Sequence, residues 1–528
     1  MLKPVITLSV DNKKVIEQKK ETDLPKISIS KIRINQPKIN FIQVSDSGTL
    51  ILDWHGERNA SNFLQLSGLQ TTSANVALKT LNFYLTDFLF NNSNRQKFST
   101  GEGKISAQIN NIQFENENNI LKKWNANVAN FDANDLKIDS LGRSKGSLVL
   151  TKGILNNLNI NSSTITNLQK LAAANGAFQL KQVTGQYADQ DKLFNWYNAG
   201  FNRNSKTFSL DSFSFYPALE RDSFIAKQTF QTDYINLKSG AVSIGPLDID
   251  TYIKDNKLNI GTATIDNFLF TDYKDKQLPF NGGIVKPLPV TMIKKIPQQI
   301  SVDTILLTNA NVVYTEVSEK TKQAGTIPVT RMTIKLLNFK NYNINATDSL
   351  SIQANGYLMD TAWIRLRLKE SYTDSLGGFL MTLRVKPTDL TLLNPALIPL
   401  ASIKLESGFL DTLSMRAVGR EFLSLGEMNM YYLNLKIRLL KNADEKKKTF
   451  FTSIISFIAN SFVVKKNNSS RIGKVFFIRK RDRSAINYLI KIAMSGMASS
   501  AGVKSNKKIM RKYEKELEKR NLPPIDFE

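Results

Sequence analysis

The feature that most constrains this chain is an apolar alternation with a period of two residues, which recurs from about residue 25 to residue 440. Ile32 and Ile34, for example, flank the polar Arg33. Successive side chains of a β-strand point to opposite faces, so this period predicts strands with one apolar face. The same pattern recurs in five later segments: Lys104 to Phe114, Leu155 to Ile160, Phe208 to Phe215, Lys257 to Phe270 and Thr330 to Phe339.

Helical patterns in this region are few and brief. The best two are Asn167 to Ala174 and Lys192 to Asn198, and we predict short helices there. So little helix cannot cover more than 400 residues of strand. The sheet must then pack on another sheet, close, or curl around an apolar occupant, because its apolar face has to leave water.

The chain shows no Pro/Gly/Ser linker before residue 440. We therefore predict a mainly β fold, an elongated twisted antiparallel sheet curled into an open hydrophobic groove, followed by a small α-helical basic tail. The predicted domains are an amino-terminal extension at residues 1–24, a repeating β body at 25–440 and the tail at 441–528. The extension lacks the apolar core of a signal peptide, which raises the possibility of a truncated membrane anchor.

A short motif recurs along the body: an apolar residue, Asp, a small polar residue and a second apolar residue. Its spacing is irregular, so it does not indicate a propeller or a tight solenoid. We interpret its Asp and small polar residue as caps of strands and turns. The motif occurs at Ile138 to Leu141, Leu210 to Phe213, Ile265 to Phe268, Val302 to Ile305 and Leu410 to Leu413.

Composition removes several classes of enzyme. The 528 residues include no Cys and a single His, which excludes cysteine nucleophiles, zinc clusters and multi-histidine metal sites. His55, next to a Gly turn, lacks the partners of a catalytic triad. The alternation predicts that Asp248 and Asp250 lie on one strand face. There they either bind a cation or act as an acid/base pair, or, more simply, they are two solvated carboxylates. We predict a protein that is not an enzyme and has no catalytic residue, metal site or cofactor.

Two glycine pairs, Gly282-Gly283 and Gly377-Gly378, raise the question of a phosphate-binding loop. Neither opens a helix, and neither is followed by Lys and Ser or Thr as such a loop requires. We interpret both pairs as turns or bulges.

Positive charge is concentrated at the carboxyl end. The chain carries a formal net charge of +25. Residues 441–528 contain 21 Lys and Arg against 8 Asp and Glu, so this last sixth holds +13 of that total. Such asymmetry is typical of a segment that meets an anionic surface.

An apolar stretch at residues 450–464 lies between two groups of lysines in this tail. On a helical wheel its Phe and Ile residues share one side and its Ser, Thr and Asn residues the other, which predicts an amphipathic helix too short to cross a bilayer. A packed helix or a buried strand are the alternatives. The predicted membrane-surface residues are Lys446, Lys447, Lys448, Phe450, Phe451, Ile454, Ile455, Ile458, Phe462, Lys465, Lys466, Arg479, Lys480, Arg481 and Arg483.

The rest of the tail predicts a basic strand at Lys474 to Arg483, an apolar helix at Ala485 to Ala501 and a charged helix at Lys504 to Arg520. The arginines and lysines near residue 480 suit phosphates of lipid or nucleic acid. Nucleic acid binding would also require stacking aromatics on a polar platform, which are missing here. We therefore expect lipid phosphate and no nucleic acid.

Several segments resemble AsmA-like envelope proteins with a repeating β-groove. One is Ile32 to Ile39 with the following turn at Ser47 to Leu50. Others are Leu393-Asn394-Pro395 with Leu400, and Gly408 to Leu413. The middle, with Val302 to Ile305 and Val313 to Glu316, is similar to the versions found in Bacteroidetes-type bacteria.

The resemblance implies a lipid-handling protein of the Gram-negative cell envelope. It would carry phospholipid acyl chains in its groove, lie in the periplasm in association with the inner or outer membrane, and serve lipid transport or outer-membrane homeostasis. Its envelope protein partners are not specified. The alternative is a structural or adhesive β-solenoid that binds a protein or a glycan. A solenoid would show polar ladders and a filled interior.

Overall fold

The computed structural model describes most of the chain. The described residues are 5–11, 26–45, 48–55, 58–72, 75–91, 97–99, 103–117, 120–141, 146–162, 164, 179–189, 191–440, 465–502 and 506–523. They fall into two compact units. Unit 1 comprises Met1–Ala218 and Ala241–Asn256, and unit 2 comprises Leu219–Gly240 and Lys257–Glu528.

Unit 1 is built from strands and one described helix, numbered along the chain through both units. The strands are β1 (Val5–Asp11), β2 (Ser28–Asn35), β3 (Lys38–Ser45), β4 (Gly48–His55), β5 (Phe63–Thr71), β6 (Asn75–Thr86), β7 (Phe88–Asn91), β8 (Lys97–Ser99), β9 (Lys104–Glu117), β10 (Ile120–Leu141), β11 (Gly146–Asn161), β12 (Gln179–Ala188), β13 (Lys192–Asn202), β14 (Thr207–Leu210), β15 (Ser212–Pro217) and β17 (Val242–Leu247). The helix is α2 (Ile249–Asp255).

The strands of unit 1 pair mostly with antiparallel neighbours. One run joins β2, β5, β6, β9, β10, β11, β12 and β13, after which β13 pairs with β14 and β15, and β14 pairs with β17. A second run joins β3, β4, β7 and β8 and meets β10. Strand β1 pairs with β3 in parallel.

Five successive long strands of unit 1 each contain an interior residue with a left-handed backbone. These residues lie in β9 to β13 and have φ between 52° and 57°. Register shifts accompany three of them, Asn111, Gln182 and Asn198. Asn and Asp tolerate positive φ better than most side chains, and such residues are typical of β-bulges. The five are Asn111, Asp135, Asn157, Gln182 and Asn198.

Unit 2 combines strands with most of the described helices. Its strands are β16 (Asp233–Lys238), β18 (Lys257–Asp266), β19 (Leu269–Asp275), β20 (Gln299–Val317), β21 (Ala324–Lys340), β22 (Ser349–Leu358), β23 (Ala362–Ser371), β24 (Phe379–Val385), β25 (Thr388–Asp389), β26 (Ile403–Gly419), β27 (Leu423–Leu439) and β28 (Ile472–Ile478). Its helices are α1 (Arg221–Ala226), α3 (Pro289–Lys294), α4 (Asn394–Ala401), α5 (Ala485–Ser500) and α6 (Asn506–Arg520), with a 3-10 turn at Leu390–Leu393.

The long strand β20 pairs with three other strands of unit 2. Its first half pairs in parallel with β18 and its second half in parallel with β19. Its other edge begins an antiparallel run through β21, β22, β23, β24, β26, β27 and β28. The prediction of a mainly β chain with helices near the carboxyl end is confirmed, and the parallel pairs make its sheet structure mixed.

The main hydrophobic core of unit 2 lies between its last strands and α5. Met428, Val475, Tyr488 and Ile492 are at most 1% exposed and belong to one cluster of buried side chains. Tyr488 and Ile492 are four residues apart, so they share the helix face that packs on the sheet. Helix α6 packs separately through Tyr513 and Leu517 against Phe476 of β28.

Several sequence predictions can now be compared with the structure. The predicted helix at Lys192 to Asn198 is wrong, because this segment is part of β13 and pairs with β12 and β15. The predicted helix at Asn167 to Ala174 lies outside the described residues. The predicted apolar and charged helices of the tail are confirmed as α5 and α6, and both belong to unit 2.

Candidate functional site

A row of apolar side chains crosses ten strands of unit 1. Each member is the register partner of the next, and residues directly opposite one another in a ladder point to the same face of the sheet. We call this set the apolar row. It consists of Ile34, Leu64, Phe83, Ala107, Phe131, Leu155, Leu180, Phe201, Phe208 and Ile244.

A second apolar row lies beside the first on the strands from β2 to β11. On β2, β5, β6 and β9 each member lies two residues from a member of the apolar row, so the two share a face. On β10 the spacing is three residues across the register shift at Val128/Asn130, and pairing with Ile109 and Ala107 keeps Val128 and Phe131 on one face. The members of the second row are Ile32, Leu66, Leu81, Ile109, Val128 and Leu158.

The apolar row is only partly buried. Ala107 is 8% exposed, whereas the other nine members are more exposed than buried core residues are. The three clusters of buried apolar side chains that the described residues form all lie in unit 2. The face of unit 1 that bears the row therefore keeps part of its apolar area open.

The opposite face of the same strands carries amides. Arg33 begins this row, which we call the amide row, and its Nη1 donates to Gln65 Oε1 over 3.2 Å. Beside it Asn127 Nδ2 donates to Asn159 Oδ1 over 2.8 Å. The amide row consists of Arg33, Gln65, Asn82, Gln108, Asn130, Asn156, Gln179 and Asn202. This sheet therefore presents one apolar and one polar surface.

The predicted membrane-surface residues divide into two groups. Lys446 to Phe462 lie outside the described residues, so the predicted amphipathic helix stays a prediction. Lys465 and Lys466 are described and exposed. Both precede Asn468, which pairs with Tyr432 of β27 through backbone hydrogen bonds.

The basic residues after β28 do not form one exposed patch. Lys480 and Arg481 are exposed, and Arg481 Nη2 lies 2.7 Å from Glu421 Oε1. The Arg483 guanidinium lies 3.3 Å from the centre of the Phe280 ring. Arg479 is 5% exposed, so its assignment to a membrane surface is wrong; its side chain turns into unit 2.

The weaker candidates from the sequence have local structural roles. Asp248 and Asp250 do not lie on a strand: Asp248 caps α2 by accepting from the Thr251 amide over 3.1 Å, and Asp250 pairs with Arg203 at 2.9 Å. Gly377 lies in a turn with φ of 66°, as expected for a turn position. Within the described ranges, no three acidic or histidine side chains are grouped as a metal would require.

The sequence did not reveal two ionisable groups of unit 2, the buried Glu370 and the half-buried Lys491. Glu370 is 1% exposed, and burial raises its pKa to about 7. Burial, with the nearby charges of Lys276, Lys480 and Arg483, lowers the pKa of Lys491 to about 7. The sequence did contain a signal for the burial of Glu370. It lies two residues from Leu368 and two from Tyr372, so the strand period places all three on the same buried face.

An open pocket of about 490 Å³ lies on the strands β16, β19 and β20 of unit 2. Tyr234 and Tyr273 line it, and Arg221 lies 4.7 Å from the centre of the Tyr273 ring. The buried Asn236 Oδ1 in its wall has no hydrogen-bond donor among the described residues. Its lining includes both acidic and basic side chains.

No described helix is both long enough and apolar enough to cross a bilayer. No protein-family model matches the chain, and no curated protein matches it.

Proposed function

We propose that this protein is a non-enzymatic lipid-handling protein that holds acyl chains against the apolar row of unit 1. The observation that carries the proposal is the row itself: ten strands contribute apolar side chains in register, and nine of the ten side chains remain partly exposed. Exposed apolar area costs about 25 cal/mol per Å², and extended patches are typical of ligand or membrane contacts. An acyl chain would cover this area.

The dimensions of the row support a lipid occupant. Neighbouring strands lie about 4.8 Å apart, so ten strands span roughly 43 Å. One leaflet of a bilayer has a hydrocarbon depth of about 15 Å. A row of this length offers an acyl chain several successive positions. Movement along it requires no bond to break, which agrees with a transport protein that is not itself an enzyme.

The cellular setting belongs to the same proposal. An AsmA-like lipid carrier would work in the periplasm of a Gram-negative cell, with phospholipid moving between membranes along the open groove. The basic tail would dock on an anionic leaflet through the amphipathic segment at 450–464 and its flanking lysines. Lys465 and Lys466, which are exposed, support that part.

Lipid analysis of the natively purified chain tests the acyl-chain proposal. The full chain is purified without detergent from a Gram-negative host, and phospholipid per chain is quantified by mass spectrometry after solvent extraction. We expect at least one phospholipid per chain. Phe131→Asp places a charge in the apolar row and should lower the recovered lipid at least fivefold. An acyl chain that covers the row would have to remove water from the carboxylate, which costs free energy.

Asn130→Asp is the matched control. It adds the same charge to the same strand, but Asn130 belongs to the amide row on the opposite face. Its lipid content should equal that of the wild type. Circular dichroism and hydrogen exchange check that both variants fold. A lipid-free wild type, or equal loss of lipid in the two variants, would overturn the acyl-chain proposal.

Vesicle flotation tests the docking of the tail. Replacing Lys446, Lys447 and Lys448 by Gln removes three charges, each contributing about 1 kcal/mol near an anionic surface. Flotation with anionic vesicles should fall by more than tenfold at low salt, while flotation with zwitterionic vesicles should not change. Unchanged flotation on anionic vesicles would remove the docking step.

The amide row favours a second candidate, a structural or adhesive protein that binds a glycan or protein. Planar amides in register present donors and acceptors at regular spacing, which suits a polymer of hydroxyl groups. This candidate predicts that the detergent-free protein carries no lipid and that Asn130→Asp, not Phe131→Asp, weakens retention on immobilised polysaccharide.

A further inference from the structure

The first two turns of α5 leave large apolar side chains in solvent. Ile486 is 68% exposed and Ile490 is 47% exposed. They are four residues apart, so they share one face of the helix. Tyr488 and Ile492, on the face that packs on the sheet, are at most 1% exposed. This part of α5 therefore has two apolar faces, and the described residues cover only one of them.

Direct contacts hold a loop of unit 2 against the segment that joins β28 to α5. The Lys286 amide of the loop donates to the Arg481 carbonyl over 2.8 Å, and Arg479 Nη2 donates to the Lys286 carbonyl. The Arg483 guanidinium lies 3.3 Å from the centre of the Phe280 ring. These contacts place the loop along the joining segment, directly before the first turn of α5.

The loop also exposes apolar side chains. Ile284 is 55% exposed and Val285 is 49% exposed. The exposed apolar residues of the loop and of α5 therefore lie at the same end of β28, its carboxyl end. Single exposed apolar residues are common on protein surfaces, whereas a group of four large ones is typical of a contact site.

The same two segments are strongly basic. Residues 280–295 contain three lysines and no carboxylate, and residues 478–492 contain five Lys and Arg against Asp482 alone. Glu421 pairs with Arg481 at 2.7 Å and balances one of these charges. Lys286 and Lys480 are exposed. We call Ile284, Val285, Lys286, Lys480, Ile486 and Ile490 the apolar–basic surface.

We infer that the apolar–basic surface docks on an anionic phospholipid membrane, with its aliphatic side chains at the acyl boundary and its lysines beside the headgroup phosphates. Aliphatic and cationic side chains on one surface are typical of proteins that lie on a membrane interface. A nucleic acid would meet the lysines and leave the aliphatic side chains in water. The aromatic ring that could stack on a base, Phe280, is covered by Arg483.

The inference rests on the lipid-handling proposal for its membrane, but it concerns a different part of the chain from the tail segment at 450–464. Unit 2 would contact the leaflet through its own loop and helix, whether or not the tail segment docks. Two attachments on one chain would strengthen each other, because the second becomes an intramolecular step.

A fluorophore that senses the loss of water tests the surface directly. The chain contains no Cys, so Ile486→Cys provides a single site for an NBD label. The labelled full chain also carries Gln in place of Lys446, Lys447 and Lys448, so that docking by the tail does not produce the signal. With an excess of vesicles of phosphatidylcholine and phosphatidylglycerol, NBD emission should shift to the blue and rise at least about twofold, since the label enters the interface. Vesicles of phosphatidylcholine alone should leave it unchanged.

Ile472→Cys is the matched control for the label. Ile472 is also an exposed isoleucine, but it begins β28, about 20 Å from the carboxyl end of that strand. In the same background its label should keep the emission that it has in water. No change at position 486, or an equal change at both positions, would overturn the inference.

Partitioning of unlabelled variants in the same background separates insertion from simple charge attraction. Binding to the anionic vesicles should fall about tenfold in Ile486→Asn and about fivefold in Lys480→Gln. Lys335→Gln, at an exposed lysine of β21 near the other end of the antiparallel run, should bind as the parent chain does. Hydrogen exchange of α5 checks that each variant is folded. Loss in Lys480→Gln without loss in Ile486→Asn would indicate an acidic macromolecule as the partner and would contradict the membrane assignment.

The outcome is separable from that of the acyl-chain proposal. If lipid is recovered from the native protein but the label at position 486 does not respond, the docking surface is refuted and the acyl-chain proposal stands. If the label responds and the native protein is lipid-free, the reverse holds.

Discussion

Units 1 and 2 are built from the same kind of strand but bury their apolar residues to different degrees. Among the described residues, nine buried apolar side chains lie in unit 1 and 36 in unit 2. The strands of both units alternate apolar and polar residues. In unit 2, α5 covers that apolar face and turns it into a core around Tyr488 and Ile492. The comparison teaches that alternation creates an apolar face, whereas a covering element decides whether the face becomes a core or a surface.

The difference in burial predicts a large difference in the response to one kind of mutation. Leu413 is 5% exposed in the main cluster of unit 2, whereas Leu155 is a partly exposed member of the apolar row. Leu413→Ala should destabilise unit 2 by about 2 to 5 kcal/mol, because it leaves a cavity. Leu155→Ala should destabilise unit 1 by about 1 kcal/mol or less, since solvent or a bound ligand can occupy the vacated space.

Hydrogen exchange monitored by mass spectrometry measures the destabilisation of each unit separately in the two leucine variants, because it reports the opening free energy of each strand. Each variant serves as the control for the other, since residue type and change are identical. Equal destabilisation of the two units would show that the apolar row is as well covered as the core, and the contrast between the units would fail.

The buried carboxyl of Glu370 makes the stability of unit 2 depend on pH. Its pKa is raised from 4.5 to about 7 in the folded protein, so the folded state holds a proton that the unfolded state releases between these values. Stability from this group is therefore fully present below about pH 4.5 and is lost as pH rises through 7.

Glu370→Gln keeps an acceptor for the Val290 amide and removes the ionisation. At pH 8 it should be more stable than the wild type by up to about 3 kcal/mol, and at pH 4 the two should be equal. Urea unfolding at pH 4, 6 and 8, with exchange of β23 as the local readout, measures this. Glu427→Gln, at a surface carboxylate paired with Lys474, is the control. A Glu370→Gln curve parallel to that of the wild type would contradict the assignment.

The strands and the carboxyl-terminal helices were accessible from the sequence because their signals are local. Ile32 and Ile34 alternate with Arg33 and lie in β2, and the apolar periodicity after Ser484 predicted α5. The helix prediction for Lys192 to Asn198 is wrong because its aromatic residues fit a helical wheel, whereas pairing with β12 and β15 decides its structure. Long-range pairing is not encoded within a seven-residue window.

The recurring Asp motif was only partly understood from the sequence. Leu410 to Leu413 and Ile138 to Leu141 lie within long strands at register shifts, and Ile265 to Phe268 marks the break between β18 and β19, where Asn267 has φ of 49°. The motif therefore interrupts ladders as well as ending strands. Arg479 was also misplaced, because a run of basic residues predicts a charged surface and does not reveal which member turns inward.

Helix capping distinguishes the units on a smaller scale. Ser484 caps α5 by accepting from the Asn487 amide over 3.2 Å, and α5 covers the core of unit 2. Ser484→Ala should cost about 1 kcal/mol and increase exchange in β27 and β28 as well as in the helix. Asp248→Ala removes the cap of α2, a helix with no buried residue, so its effect should stay within that helix. A global effect of Asp248→Ala would contradict this distinction.

The two faces of unit 1 differ least in energy, and a pair of neighbouring residues on β10 measures the difference. Asn127 donates to Asn159 over 2.8 Å on the polar face, and Val128, 8% exposed, faces Leu158 on the other. Exposed cross-strand pairs contribute about 0.2 to 1 kcal/mol, so Asn127→Ala should cost less than about 1 kcal/mol. Val128→Ala removes two buried methyl groups and should cost about 1.5 kcal/mol. A cycle with Asn159→Ala isolates the amide pair. If hydrogen exchange of β10 and β11 increases more in Asn127→Ala than in Val128→Ala, the amide face contributes more to the stability of the sheet than the apolar face does. That outcome would contradict the proposal that a ligand covers the apolar face.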